Sequence, residues 1–367
     1  SDSIKWRLFG DALPMWVADM DFRSPEPILR ALRERVEHGI FGYPAEPPEL
    51  RELLVERMAR LYRWKIQPED ILLVPGVIKG FNLAGHAVLA PGEELLIQTP
   101  VYPPFFSVAR NTDTRRVEVP LVQTAQGRYE IDFDAFEAAI SPATRLFILC
   151  NPHNPVGRAF QRAELERLAE ICLRRGVMVC SDEIHCDLIF SGQQHIPLAS
   201  LDEEIGRNTV TLMAPSKTFN IAGLECSFAI VQNEALRKKM QASQKGLMGG
   251  VNLMGLTAAV AAYRDCQDWL DALLAYLQSN RDYLVDYLHR KLPAVRVSPP
   301  EATYLAWLDC RDLGLEVEPA EYFLKQAGVA LNNGSEFGAP GRGFVRLNFG
   351  CPRALLQEGL ERICAAV

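Results

Sequence analysis

Short apolar runs alternate with longer stretches in which apolar residues recur at helical spacing. Ile71–Val74, Glu94–Gln98, Arg116–Pro120, Leu146–Cys150, Val177–Ser181, Val210–Met213 and Phe228–Val231 have the length and composition of strands. Between them lie helical patterns such as Ala163–Arg175, where Leu165, Leu168, Ile171 and Leu173 recur at helical spacing. Strands and helices in alternation predict an α/β fold with a mostly parallel seven-stranded sheet covered on both faces.

After Gly250 the pattern changes. A long helical region, roughly 253–292, carries Leu270, Leu273, Leu274, Leu277, Tyr283, Leu284 and Leu288 on apolar faces. Strand-like pieces follow at Tyr304–Asp309, Val329–Leu331 and Gly343–Phe349. The expected division is a large domain over 26–265 and a smaller α/β domain over 266–367, joined by that long helix. Residues 1–25, rich in Pro, Asp and Trp, predict an arm lying on the smaller domain or on a partner subunit.

Composition narrows the function classes. The chain has 367 residues and a net charge of −7, with no basic block to track a phosphodiester backbone, so nucleic acid is not an expected partner. Its nine cysteines stand singly, without the paired spacing of a zinc site, which predicts free thiols in a reducing compartment and no metal. The sequence shows no secretory leader and no apolar run near the ~20 residues that span a bilayer, so a cytoplasmic protein without membrane contact is expected.

The unusual residues gather where the strands end, which is where open α/β sheets bind ligands. Ile71–Val74 runs into PGVIKG (75–80), Glu94–Gln98 into TPVYPPF with Tyr102, and Leu146–Cys150 into NPHNPVG with Asn151 and Asn154. Val177–Ser181 leads to Asp182, Glu183 and His185, and Val210–Met213 to APSKTFN with Ser216 and Lys217. Taken singly, these are a helix cap, a turn and a solvated lysine. Five strand ends presenting polar or aromatic groups to one rim make a site. A dinucleotide-binding reading fails, because no GxGxxG follows the first strand.

NPHNPVG, SDEIH and APSKTFNIAGL, in this order and spacing, resemble the fold-type I pyridoxal-5′-phosphate (PLP) enzymes of the aspartate aminotransferase superfamily, across essentially the whole chain. The resemblance implies that Lys217 holds the cofactor as a Schiff base and shuttles the proton. It implies that Asp182 pairs with the pyridine nitrogen, keeping the ring an electron sink. Asn154 then bonds the phenolic oxygen, Tyr102 stacks on the ring, and the amides of Val77 and Ile78, with Ser216, hold the phosphate. Arg346, in GFVRLNFG, is implied to grip the substrate α-carboxylate in two prongs. Tyr43, in FGYP, is implied to reach the phosphate of a neighbouring subunit, making a homodimer with shared sites.

LPMWVADMDF (13–22) is similar to the N-terminal signature of MalY/PatB-type cystathionine β-lyases, and His185, where typical aminotransferases carry tyrosine, agrees with that group. The expected reaction is α,β-elimination from cystathionine or a related cysteine S-conjugate to a thiol, pyruvate and ammonia. Transamination of L-amino acids is the alternative, and a PLP-binding regulatory protein with little turnover a further one. Trp16, Tyr102 and Tyr304 are candidates for lining the substrate side, while Trp307 reads as packing. Two positions depart from the wider pattern: Ala214 replaces a common serine, and Glu225 stands where an arginine commonly meets the phosphate. Glu225 is expected to point away or to sit differently, leaving the phosphate to the helix N-terminus, Tyr43 and Ser216, with Lys79 a further candidate.

Overall fold

The computed structural model describes residues 2–246 and 248–367. Its centre is a seven-stranded sheet, whose strands in chain order are β1 (Ile71–Val74), β2 (Glu94–Thr99), β3 (Arg115–Pro120), β4 (Thr144–Cys150), β5 (Met178–Asp182), β6 (Thr209–Met213) and β7 (Ser227–Ile230). Their spatial order is β1-β7-β6-β5-β4-β2-β3. All pairs are parallel except those made by β7, which runs against both β1 and β6. Each predicted strand is present within two residues. Leu146, Phe147, Ile148 and Leu149 are all essentially without solvent contact, as expected for a strand covered on both faces.

The helices start and stop where local chemistry dictates. Arg162–Arg175 opens with a Gln161/Glu164 capping box and closes on Gly176 at φ 66°, a left-handed turn that a residue without Cβ adopts cheaply. The helix Val77–Val88 lies across the sheet so closely that a Cβ on Gly80 would come within 2.8 Å of Leu212. That contact presses the helix start against the rim where β5 and β6 end.

The expected single helix over 253–292 is two helices, Leu253–Asp265 and Gln267–Lys291, broken at Cys266 (φ −117°, ψ 18°). The halves bury different faces. The first packs through Ala258, Ala261 and Ala262, mainly on the helix Glu26–His38, whereas Leu277, Leu284 and Leu288 of the second face the C-terminal elements. Those elements form a four-stranded antiparallel sheet of Arg296–Val297, Leu305–Asp309, Phe344–Asn348 and Asn332–Asn333, in that spatial order.

The arm is more structured than its composition predicts. It holds a short helix, Ile4–Arg7, and a two-residue strand, Leu13–Pro14, that pairs in parallel with Val329–Ala330. Lys5 is buried, with Nζ bonded to the Asp19 carbonyl at 2.9 Å and to Asp21 Oδ2 at 2.6 Å. No described helix is long and apolar enough to cross a membrane. All nine cysteines are free thiols, and all but Cys364 are buried.

Candidate active site

Parallel strands deliver their carboxyl ends to one rim, and register fixes which residues meet there. Cys150 at the end of β4 stands beside Asp182 at the end of β5, which stands beside Leu212 of β6. Since β7 runs the other way, its beginning, Ser227, pairs with Val74 at the end of β1. The Ser227 hydroxyl donates to the Val74 carbonyl at 2.7 Å and accepts from Gly76 N at 3.0 Å. It thereby holds the turn that opens the helix Val77–Val88.

A cavity of about 300 Å³ opens at this rim, and Val77, Ile78, Tyr102, Asn154, Asp182, His185, Ser216 and Lys217 all line it. Every expected cofactor-binding residue of the chain therefore comes to one place, except Tyr43, which is fully exposed. The Lys217 amine donates to the Ala18 carbonyl at 2.7 Å, and the Tyr304 hydroxyl donates to the same oxygen at 2.7 Å. Burial, helped by the nearby Arg346 charge, holds the Lys217 pKa below the usual lysine range. Its amine is thus more readily neutral than one in water, the state in which it can take a proton.

Asp182 is 3% exposed, and its Oδ1 accepts from Ile184 N at 3.1 Å. Burial pushes its pKa up to about 7, with Glu183 adding to the rise. A buried carboxyl in this state gains from a cationic partner. His185 sits edge-on to Tyr304, and burial together with the Lys217 and Arg346 charges depresses its pKa to about 3, so it is a neutral imidazole.

Arg346 is buried, with Nη1 donating to Asn154 Oδ1 at 3.1 Å and Nη2 to Asn332 Oδ1 at 2.5 Å and to the Trp16 carbonyl at 3.1 Å. Its guanidinium lies over Phe337, 5.0 Å from the ring centroid. Burial lowers its pKa to about 10, so the cation persists at neutral pH. Trp16 meets Arg346 through its carbonyl, while its indole donates to the Lys5 carbonyl and packs edge-on to Phe9. Trp307 is core: it stacks on Phe344 and donates to the Tyr129 hydroxyl.

Glu225 does not point away. It lines the cavity, and its Oε2 takes the Lys79 ammonium at 3.0 Å. The reversed direction of β7 brings the segment before it, Glu225 included, to the rim. Three contributors were assigned no role from the sequence: the Ala18 carbonyl (although it lies within LPMWVADMDF), Asn332 and Asp187. The last binds the buried Arg57 and accepts from Thr218 Oγ1 at 2.9 Å, bracing the residue after Lys217.

The cavity fits PLP on its own geometry. His185 Nδ1 and Arg346 Nε are buried polar atoms without a hydrogen-bond partner among the described residues. The turn before Val77 has Gly76 at φ 113° with open space where a Cβ would stand, so backbone amides of the helix start are accessible to an anion. An amine, a cation-seeking carboxyl and an anion cradle share one enclosure.

Comparison with known proteins agrees with this geometry. The family model for class I and II aminotransferases matches residues 16–363. Cystathionine β-lyase PatB of Bacillus subtilis is 44% identical, aligned over 100% of this chain and 97% of that protein. The protein MalY of Escherichia coli is 34% identical over 97% of this chain and 92% of its own. The crystal structure of cystalysin from Treponema denticola, which contains a pyridoxal 5′-phosphate cofactor, superposes with a TM-score of 0.96 at 32% identity, covering 100% of this chain and 95% of that one. The chain belongs to the class I and II aminotransferase family, grouped there with the PatB and MalY proteins.

Proposed function

We propose that the protein is a PLP-dependent C–S β-lyase that cleaves cystathionine or related cysteine S-conjugates to a thiol, pyruvate and ammonia. The observation that carries the reading is the convergence of the Lys217 amine, the Asp182 carboxyl and the Asn154–Arg346 pair on one rim, in a chain 44% identical to a cystathionine β-lyase. When bound, PLP supplies an electron sink that makes the Cα proton of an attached amino acid acidic.

The chain's own groups supply the rest. Arg346, preset by Asn154 and Asn332, would take the α-carboxylate by two prongs and fix which Cα bond faces Lys217. Lys217 would remove the Cα proton with its neutral amine. Asp182 would hold the proton on the ring nitrogen, and Tyr102 and His185 would flank the ring. The Cβ–S bond then breaks, the electron pair leaves with sulfur, and the thiolate takes up a proton. One water hydrolyses the remaining three-carbon fragment to pyruvate and ammonia. Residues 26–265 act as the cofactor lobe, and 266–367 as the lobe that carries Arg346.

A cytoplasmic homodimer completes the proposal. Ile40, Phe41 and Tyr43 stand 60% or more exposed on one extended segment, an arrangement that suits burial against a second copy. Free thiols throughout suit a reducing compartment.

The test is pyruvate release from L-cystathionine by the PLP-loaded protein with no keto acid present. Steady pyruvate formation that disappears in Lys217→Ala is the expected result. No pyruvate, with stoichiometric conversion of the cofactor to its amine form, would make the protein an aminotransferase instead.

A further inference from the structure

The end of the cavity that opens on the helix start has an unusual charge balance. Its lining holds two cationic side chains, Lys79 and Lys217, and two carboxylic ones, Asp182 and Glu225; no arginine is among them. Lys217 is turned to the Ala18 carbonyl and Asp182 is buried at the end of β5. Lys79 and Glu225 face each other at the mouth, 3.0 Å apart and 43% and 56% exposed.

Both positions follow from the backbone. Lys79 is the third residue of the helix Val77–Val88, so its stem rises from the turn whose amides face the cradle. Glu225 closes the short turn Ala222–Leu224 in a left-handed conformation, φ 49° and ψ 54°, which carries a cost for any residue with a Cβ. This turn sets the carboxylate beside the anion cradle. A bare carboxylate there repels a phosphate; neutralised by Lys79, it repels far less.

We propose that the Lys79–Glu225 pair is a positioning device that sets how firmly the protein retains PLP: Glu225 weakens retention, and Lys79 offsets it. Anchoring of the phosphate then rests on helix amides and the Ser216 hydroxyl rather than on a net positive charge, and the influence of the exposed pair is screened by salt. The inference rests on the cofactor reading of the same cavity.

Holoenzyme of the wild type, Glu225→Gln, Lys79→Ala and the double variant is dialysed against graded PLP, and the retained cofactor is measured by absorbance after release in alkali. At low salt, Glu225→Gln should tighten the dissociation constant by roughly three- to tenfold, since it removes the carboxylate and frees the ammonium. Lys79→Ala should weaken it by a similar factor, and the double variant should return to within about twofold of wild type. Near 0.5 M KCl the differences should shrink to about twofold, because both side chains meet solvent. Unchanged or weaker retention by Glu225→Gln overturns the proposal, as does a double variant no better than Lys79→Ala. A pair that merely braces the helix would shift the unfolding midpoint and leave retention unmoved. Wild-type protein that retains no PLP at any concentration defeats the cofactor reading itself; wild-type retention with indifferent variants defeats only the role of the pair.

Discussion

Replacing Asp182 by Asn tests the electrostatics of the site without any substrate. In the cofactor-free chain, burial raises this carboxyl from its ordinary 3.8 to about 7. At 1.36 kcal/mol per pH unit, that corresponds to about 4 kcal/mol of ionisation cost. A folded-state value above the unfolded one means that the group's contribution to stability is fully present below about pH 4, falls as pH rises, and is gone above about pH 7. By linkage, about 2.5 kcal/mol of the loss falls between pH 5 and pH 8. Asn cannot ionise, so Asp182→Asn should lack this decline: relative to wild type, the cofactor-free variant gains about 2.5 kcal/mol on going from pH 5 to pH 8. Urea unfolding of both proteins at the two pH values reads the difference directly. A relative change below about 0.5 kcal/mol would mean that the carboxyl is not starved of a cationic partner, and the case for a ring nitrogen opposite it would fall. With the cofactor bound, the same substitution should lower turnover by roughly 10²–10³-fold.

Arg346→Lys keeps a cation but loses the fork set by Asn154 and Asn332, so kcat/KM for cystathionine should drop by roughly 10- to 100-fold, chiefly through KM; an unchanged KM in steady-state pyruvate assays would remove Arg346 from the carboxylate site. His185 is held neutral down to about pH 3, so the acid limb of the kcat/KM profile should stay in place in His185→Asn even if the rate falls; a limb displaced by about one pH unit would show that the imidazole titrates. Asp187→Asn strands the Arg57 guanidinium, whose side chain is only 6% exposed, and should cost about 3–5 kcal/mol in urea unfolding; a loss below about 1 kcal/mol would show that Arg57 finds another partner.

The sequence exposed the sheet well, since strands buried on both faces read as unbroken apolar runs, and residues that line the cavity sit where those runs stop. Lys217, Asp182, Asn154 and Tyr102 were legible for that reason. Strand direction was not. Ser227–Ile230 looks like any other apolar run, yet it runs backwards in the sheet, and that reversal brings Glu225 to the cavity instead of away from it. The break at Cys266 was hidden because apolar periodicity continues on both sides of it, and only the different partners of the two helices reveal it. Asp187 and Arg57 lie 130 residues apart, so local pattern cannot join them. The Ala18 carbonyl has no side-chain signature at all.

The pairing of Leu13–Pro14 with Val329–Ala330, and the grip of Arg346 and Asn348 on the carbonyls of residues 16, 17 and 19, have a consequence for how the protein is made. The arm leaves the ribosome long before the strand with which it pairs. At a synthesis rate of about 5–20 residues per second, the arm waits roughly 15–60 s for the strand it joins. A chain that stops short of that strand has Lys217 but neither Arg346 nor the pairing that docks the arm. Shorter copies therefore lack the buried Arg346 guanidinium and the docked arm, which come together only once residues 329–348 have emerged.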